Sequence, residues 1–174
     1  MNRTRDIVRV NGAYSRNIYG RNIGVAVVDT GIVPHSDFIE GGNRIVAFKD
    51  VIHGRAQMYD DNGHGTHVAG IIGGNGYASG GKYMGIAPRC NLIGVKALNY
   101  KGNGNVQDVL NGFEWIIANK EKYNIRVVNI SVGSTTDENA SEQSNLVMGV
   151  DELWDRGLVV VVAAGNNGPG PKTI

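Results

Sequence analysis

The chain has 174 residues, enough for one substantial core and too few for two comfortable domains, so a single domain or most of one is expected. Its 17 Lys and Arg against 16 Asp and Glu give a net charge of +1 with no basic stripe, which excludes the electrostatic footprint of a nucleic-acid binder. Hydrophobic residues at 41% and charged residues at 19% exclude intrinsic disorder, and no run approaches the ~18 apolar residues of a membrane span, so neither nucleic acid nor membrane is an expected partner.

Residues 1–6 are polar and lack the apolar core of a signal peptide, and the lone Cys90 has no internal disulfide partner. Together they predict work in a reducing cytoplasm, with a secreted enzyme that has lost its leader as the alternative. Residues 23–28 form a short apolar run rich in β-branched side chains, the mark of a strand buried on both faces, and similar runs recur at 44–48, 91–96, 126–130 and 158–163. Between them lie segments of helical period at 64–73, 106–119 and 141–156. In the second helix Val106, Leu110, Phe113 and Ile117 share a face; in the third Leu146, Val150, Leu153 and Trp154 do, with Ser141 as N-cap and Gly157 just past the C-terminus. Strands alternating with helices predict an α/β fold, a three-layer sandwich around a mainly parallel twisted sheet. The 26 glycines, roughly twice average usage, gather between these elements and predict many tight turns, including a surface loop over 73–81.

The polar punctuation falls at the C-terminal strand ends, the edge where open α/β sheets bind ligands. Asp29 ends the first strand, a costly place for a carboxylate unless a donor or cation neutralises it, although a turn or cap residue is the plainer reading. His64 sits where the polar loop 60–63 becomes a small-residue helix; beside a buried carboxylate such as Asp29 it would be an oriented general base. His64 and His67, three apart, with Asp29, Asp60 and Asp61 nearby, admit a zinc site, but the H-E-x-x-H spacing and its Glu are missing. Residues 76–82 do not form a phosphate loop either, since no G-x-x-x-x-G-K-[ST] is present. Asn166, in the Gly-rich turn after the fifth strand, offers an uncharged amide donor of the kind that stabilises an oxyanion, or is simply a turn residue.

Read in order, Val25-Ala26-Val27-Val28-Asp29-Thr30-Gly31, His64-Gly65-Thr66-His67-Val68-Ala69-Gly70 and Ala163-Ala164-Gly165-Asn166 resemble the Asp, His and oxyanion-Asn motifs of the subtilisin-like serine proteases. The lead-in 60–63, the loop 76–84 and the ending 167–171 resemble the AprX-type branch of that family. The resemblance implies that Asp29 orients His64, that His64 is general base and then general acid, and that Asn166 donates to the oxyanion. It implies further that Ser131, Val132 and Gly133, with Gly102 and Gly104 as the opposite wall, pair with an extended polypeptide substrate by strand addition. Asp37 matches a residue that coordinates calcium in secreted members, but the companion loop differs, so no metal ligand and no cofactor is assigned.

The family places its nucleophile in G-T-S-M-A, and none of the serines here, from Ser15 to Ser144, stands in G-T-S-M or G-x-S-x-G. The expectation is therefore the N-terminal part of one peptidase domain, residues 1–174, ending before the nucleophile helix. Such a chain would be inactive alone and would have the remainder of the domain as its partner. A non-catalytic subtilase-like pseudoprotease or peptide-binding module is the alternative.

Overall fold

The structure is a computed structural model that describes residues 2–132 and 145–165. Five strands form one sheet: β1 (Gly24–Asp29), β2 (Ile45–Asp50), β3 (Asn91–Lys96), β4 (Ile125–Ile130) and β5 (Val159–Val162). Their order is β2-β3-β1-β4-β5 with every pair parallel, so each connection must cross over a face. The helices are α1 (Asn2–Ile7), α2 (Asn11–Tyr14), α3 (Ser36–Ile39), α4 (His64–Gly73), α5 (Val106–Asn119) and α6 (Asn145–Asp155), with a 3₁₀ turn at Tyr77–Ser79.

β1 lies at the centre and is buried throughout, and its side chains alternate between two cores as the period of two requires. Ala26 and Val28 enter a cluster with Ile93, Val95, Val128, Phe113 and Ile116 beneath α5 and α6. Val25 and Val27 enter the opposite cluster with Ile32, Phe38, Leu92 and Ala69 beneath α4. These two cores make the three layers. The predicted strands and helices are therefore present, displaced at their ends by a few residues.

Three details differ from the sequence reading. The buried stripe of α5 is Val109, Gly112, Phe113 and Ile116, while Val106 is exposed. Val106 occupies the first helical position after the Asn105 cap, outside the contact with the sheet; Leu110 and Ile117 pack at the flank. In α6 Leu153 takes the core position and Trp154 is 65% exposed, because the helix rests its narrower Gly149 face on Leu110 and Phe113 of α5. β5 is not covered on both faces: Val159, Val161 and Val162 are exposed at the sheet edge. Gly157 does end α6 with φ +78, and Leu158 N–H donates to Leu153 O at 3.2 Å. Ser141 lies outside the described residues.

The two N-terminal helices carry no apolar stripe and were not expected from the sequence. They strap the Gly-rich loop from outside: Arg5 donates to Lys82 O at 3.2 Å, and Tyr14 OH lies within hydrogen-bond reach of Gly85 O and Ile86 O.

Candidate active site

The parallel sheet brings the C-terminal ends of β3, β1 and β4 side by side, with Asp29 at the middle one. Its carboxylate is fully buried and needs donors. One is the Thr30 N–H, 2.7 Å from Oδ1. The other is His64, whose Nδ1 lies 2.8 Å from Oδ1 and 3.0 Å from Oδ2. An ionised carboxylate can only accept, so the Nδ1 proton donates, and the neutral imidazole that makes this bond carries its lone pair on Nε2. The His64 side chain is 52% exposed, so that second nitrogen remains within reach of a reactant.

Local sequence makes this contact possible. Gly63, at φ +98, turns the chain into α4, and Gly65 lets the first helical turn press against the end of β1. A Cβ on Gly65 would collide with Gly31 O and come within 3.1 Å of Asp29 Cβ. Asp60 binds the two elements together. Its Oδ1 accepts from Thr30 Oγ1 at 2.8 Å and Gly63 N at 2.8 Å, and its Oδ2 accepts from Thr66 N at 2.9 Å and Thr66 Oγ1 at 2.6 Å. Thr30 Oγ1 in turn accepts from Gly65 N at 2.9 Å. Burial alone would push the Asp60 carboxyl up, but the hydrogen bonds from Thr66, Gly63 and Thr30 prevail and hold it at about 2.

The other expected residues flank this pair. Gly102 and Gly104 follow β3 in an exposed loop, Gly102 at φ +80, where its N–H donates to Asn99 O at 2.9 Å. Ser131 and Val132 follow β4 on the other side, partly buried, with Ser131 Oγ accepting from Asn129 Nδ2 at 2.8 Å. Gly133 and Asn166 lie outside the described residues. The zinc alternative finds no support in the donor set: among the described residues no three His, Cys, Asp or Glu side chains converge for a metal, and Asp60 spends both oxygens on the turn. Asp37 Oδ1 accepts from Ala78 N at 2.8 Å, so one of its oxygens is engaged by the neighbouring loop. Among the described residues no helix is long and apolar enough to cross a membrane.

Sequence reasoning passed over Thr30 and Thr66, treated Asp60 only as a metal ligand, and ignored Lys96. Asp60 carried a legible signal: an Asp three residues before a glycine that opens a helix is a capping arrangement.

A parallel α/β sheet thus sets a buried carboxylate against a half-exposed imidazole at its C-terminal edge, an arrangement whose chemistry suits proton transfer. Residues 20–174 match the model of the peptidase S8, or subtilase, family, and the chain belongs to that family. It is 45% identical over 174 residues to the serine protease AprX of Bacillus subtilis (strain 168), covering 98% of this chain and 38% of that protein. It is 37% identical over 164 residues to subtilisin Savinase of Lederbergia lenta, covering 94% of this chain and 55% of that protein. Among solved structures, the CspB protease of Clostridium perfringens superimposes with a TM-score of 0.79 at 28% identity, over 92% of this chain and 40% of that one. A cold-adapted subtilisin-like serine proteinase does so with a TM-score of 0.68 at 32% identity, over 86% of this chain and 49% of that one. The chain thus spans about half or less of the length of these relatives.

Proposed function

We propose that the chain forms the Asp–His part of a serine endopeptidase. The observation that carries this reading is the buried Asp29 carboxylate holding His64 Nδ1 at 2.8 Å, which leaves Nε2 as the base. In this scheme Nε2 takes the proton of a serine hydroxyl as that oxygen attacks the scissile carbonyl. Asp29 keeps the tautomer and stabilises the imidazolium, and the same proton then passes to the leaving amine. Asn166 donates to the oxyanion, an effect worth ~3 kcal/mol per donor. The substrate is a polypeptide lying extended between Gly102 and Gly104 on one side and Ser131, Val132 and Gly133 on the other, paired through main-chain bonds.

The serine belongs to the part of the domain that this chain does not include, and that part is its partner. Two observations support this: no serine here has the nucleophile context, and the relatives named above are roughly twice as long or longer. The exposed valines of β5 give the remainder an apolar face to cover. We assign the protein to a reducing compartment, where the single cysteine of this sequence, Cys90, stays a thiol.

A fluorophosphonate probe tests the reading. The 174-residue chain alone is expected to remain unlabelled, whereas the full-length protein is labelled at one serine and loses that labelling with His64→Ala. Full-length protein that neither reacts with the probe nor cleaves peptides, yet binds them, would establish the pseudoprotease instead.

A further inference from the structure

Lys96 ends β3 after the apolar run Leu92–Val95 and is fully buried. An ammonium without water is tolerated only if its N–H groups find acceptors, and a Lys has three to place. They meet Asp61 Oδ1 at 2.6 Å, Thr30 O at 2.6 Å and Leu98 O at 2.8 Å, and the Nζ lies 4.9 Å from the centre of the Tyr59 ring. A methionine would fill the same volume, but only a cation with three donors can engage all three oxygens.

Each acceptor belongs to a different piece of the site. Thr30 carries the N–H that donates to Asp29 Oδ1. Asp61 precedes Asn62, whose side-chain oxygen accepts from His64 N at 3.2 Å and whose Nδ2 donates to Tyr100 O at 2.9 Å. Leu98 opens the loop that carries Gly102 and Gly104, and its own N–H donates to Asp29 O at 3.1 Å. Cutting the ammonium out would leave the turn joined to the entry loop through Asp60 and to the wall through the Ala97 and Leu98 N–H bonds to Asp29 O, with no single group holding all three.

We propose that Lys96 is a positioning residue for peptide cleavage, its ammonium locking the Asp29–Thr30 turn, the loop that enters His64 and the substrate wall after β3 into one frame. This rests on the peptidase reading above, and it makes a residue that touches no reactant decisive for both halves of the reaction: the dyad and the cleft.

The test uses the full-length protein with Lys96→Met and Asp61→Ala, the second at a side chain 41% exposed, each variant first checked for a native far-UV circular dichroism spectrum. Three quantities are read: kcat and KM on a chromogenic peptide, and the downfield proton resonance of His64 Nδ1–H. Lys96→Met is expected to lower kcat/KM by ~10²-fold, the scale of a misplacement near 1 Å, through both a lower kcat and a higher KM, and to move or broaden the resonance. Asp61→Ala is expected to change all three in the same direction by less. Folded Lys96→Met with kcat, KM and the resonance unchanged would overturn the proposal, even with a lowered Tm, because a purely structural role moves only the last. Should Lys96→Met not fold, Asp61→Ala with all three unchanged overturns it equally. If the wild-type protein itself cleaves nothing, the peptidase reading fails alone, and the resonance still decides whether Lys96 positions His64.

Discussion

Replacing Asp60 with Asn keeps the shape of the side chain while removing its charge and turning one acceptor into a donor. Four N–H and O–H groups converge on the two carboxylate oxygens from Thr30, Gly63 and Thr66, with Asn62 N as a fifth at 3.2 Å, so the new amide NH₂ must face a donor on either side. The folded carboxyl titrates at about 2 against an ordinary 3.8, because hydrogen bonds to the anion outweigh the opposing effect of burial. At ~1.4 kcal/mol per unit this is at most ~2.5 kcal/mol, and solvent screening of a partly buried group reduces it to ~1–2 kcal/mol. The folded value is the lower one, so the stabilisation is fully present above about pH 4 and is lost as pH falls toward 2. Denaturant unfolding of wild type and Asp60→Asn at about pH 7 and about pH 3 reads this directly. The variant is expected to be less stable by ~1–2 kcal/mol at neutral pH, with roughly half of the difference gone at the lower pH. A difference that is equal at the two pH values, or below ~0.5 kcal/mol at neutral pH, would refute the assignment of Asp60 as an ionised clamp.

Four further outcomes are expected. Asp29→Asn should lower kcat of the full-length protein by ~10⁴-fold with KM nearly unchanged, since it breaks the tautomer and not the cleft, while Asn166→Ala should cost ~10²–10³-fold in kcat; steady-state kinetics separate the two. Cys90 is fully buried, and burial pushes its thiol up to about 11, so a disulfide reagent at about pH 8 should react only after denaturant is added, and prompt modification of folded protein would contradict the packing. Because Asp37 is engaged by the Ala78 N–H, excess chelator should leave the Tm in place, and a drop beyond ~10 °C, equivalent to a few kcal/mol, would reveal a structural calcium site there.

The strands were legible because buried parallel strands leave uninterrupted β-branched runs, and β1 is buried at every position as its run implied. Helix faces were legible only to within one residue in the turn. Val106 and Trp154 satisfy the helical period yet sit outside the contact, since periodicity gives spacing along a helix but not the rotation that Gly112 and Gly149 set by close approach. Asp29 and His64 stood out because a charge at the end of an apolar strand and a histidine entering a small-residue helix are costly unless they meet. Thr30 and Lys96 did not stand out, because their roles depend on atoms brought from loops 30 or more residues away, as with the Thr30–Asp60 bond across a separation of 30 and the Lys96–Asp61 bond across 35. No local pattern encodes such a partner.

The charges at this sheet edge explain why the partners had to be distant. Asp29, Asp50 and Lys96 all terminate strands and are essentially buried, and parallel pairing sets Lys96 opposite Asp29 on one side and Asp50 on the other. Each charge is satisfied by a different route: Asp29 by a backbone N–H and an imidazole, Asp50 by the N–H groups of Ile52 and His53 with the Tyr59 hydroxyl, and Lys96 by two carbonyls and one carboxylate. Tyr59 is shared, since it donates to Asp50 while its ring lies against Lys96. Burial, with the bond to Asp50, pushes its phenol up to about 12, so it remains a donor across the neutral range. A salt bridge made directly between strand ends would have neutralised Asp29 and left His64 without an anion to orient it. By sending Lys96 to the carbonyls and to Asp61, the fold holds a positive charge beside the site and leaves the Asp29 carboxylate to the imidazole, the arrangement that a general base requires.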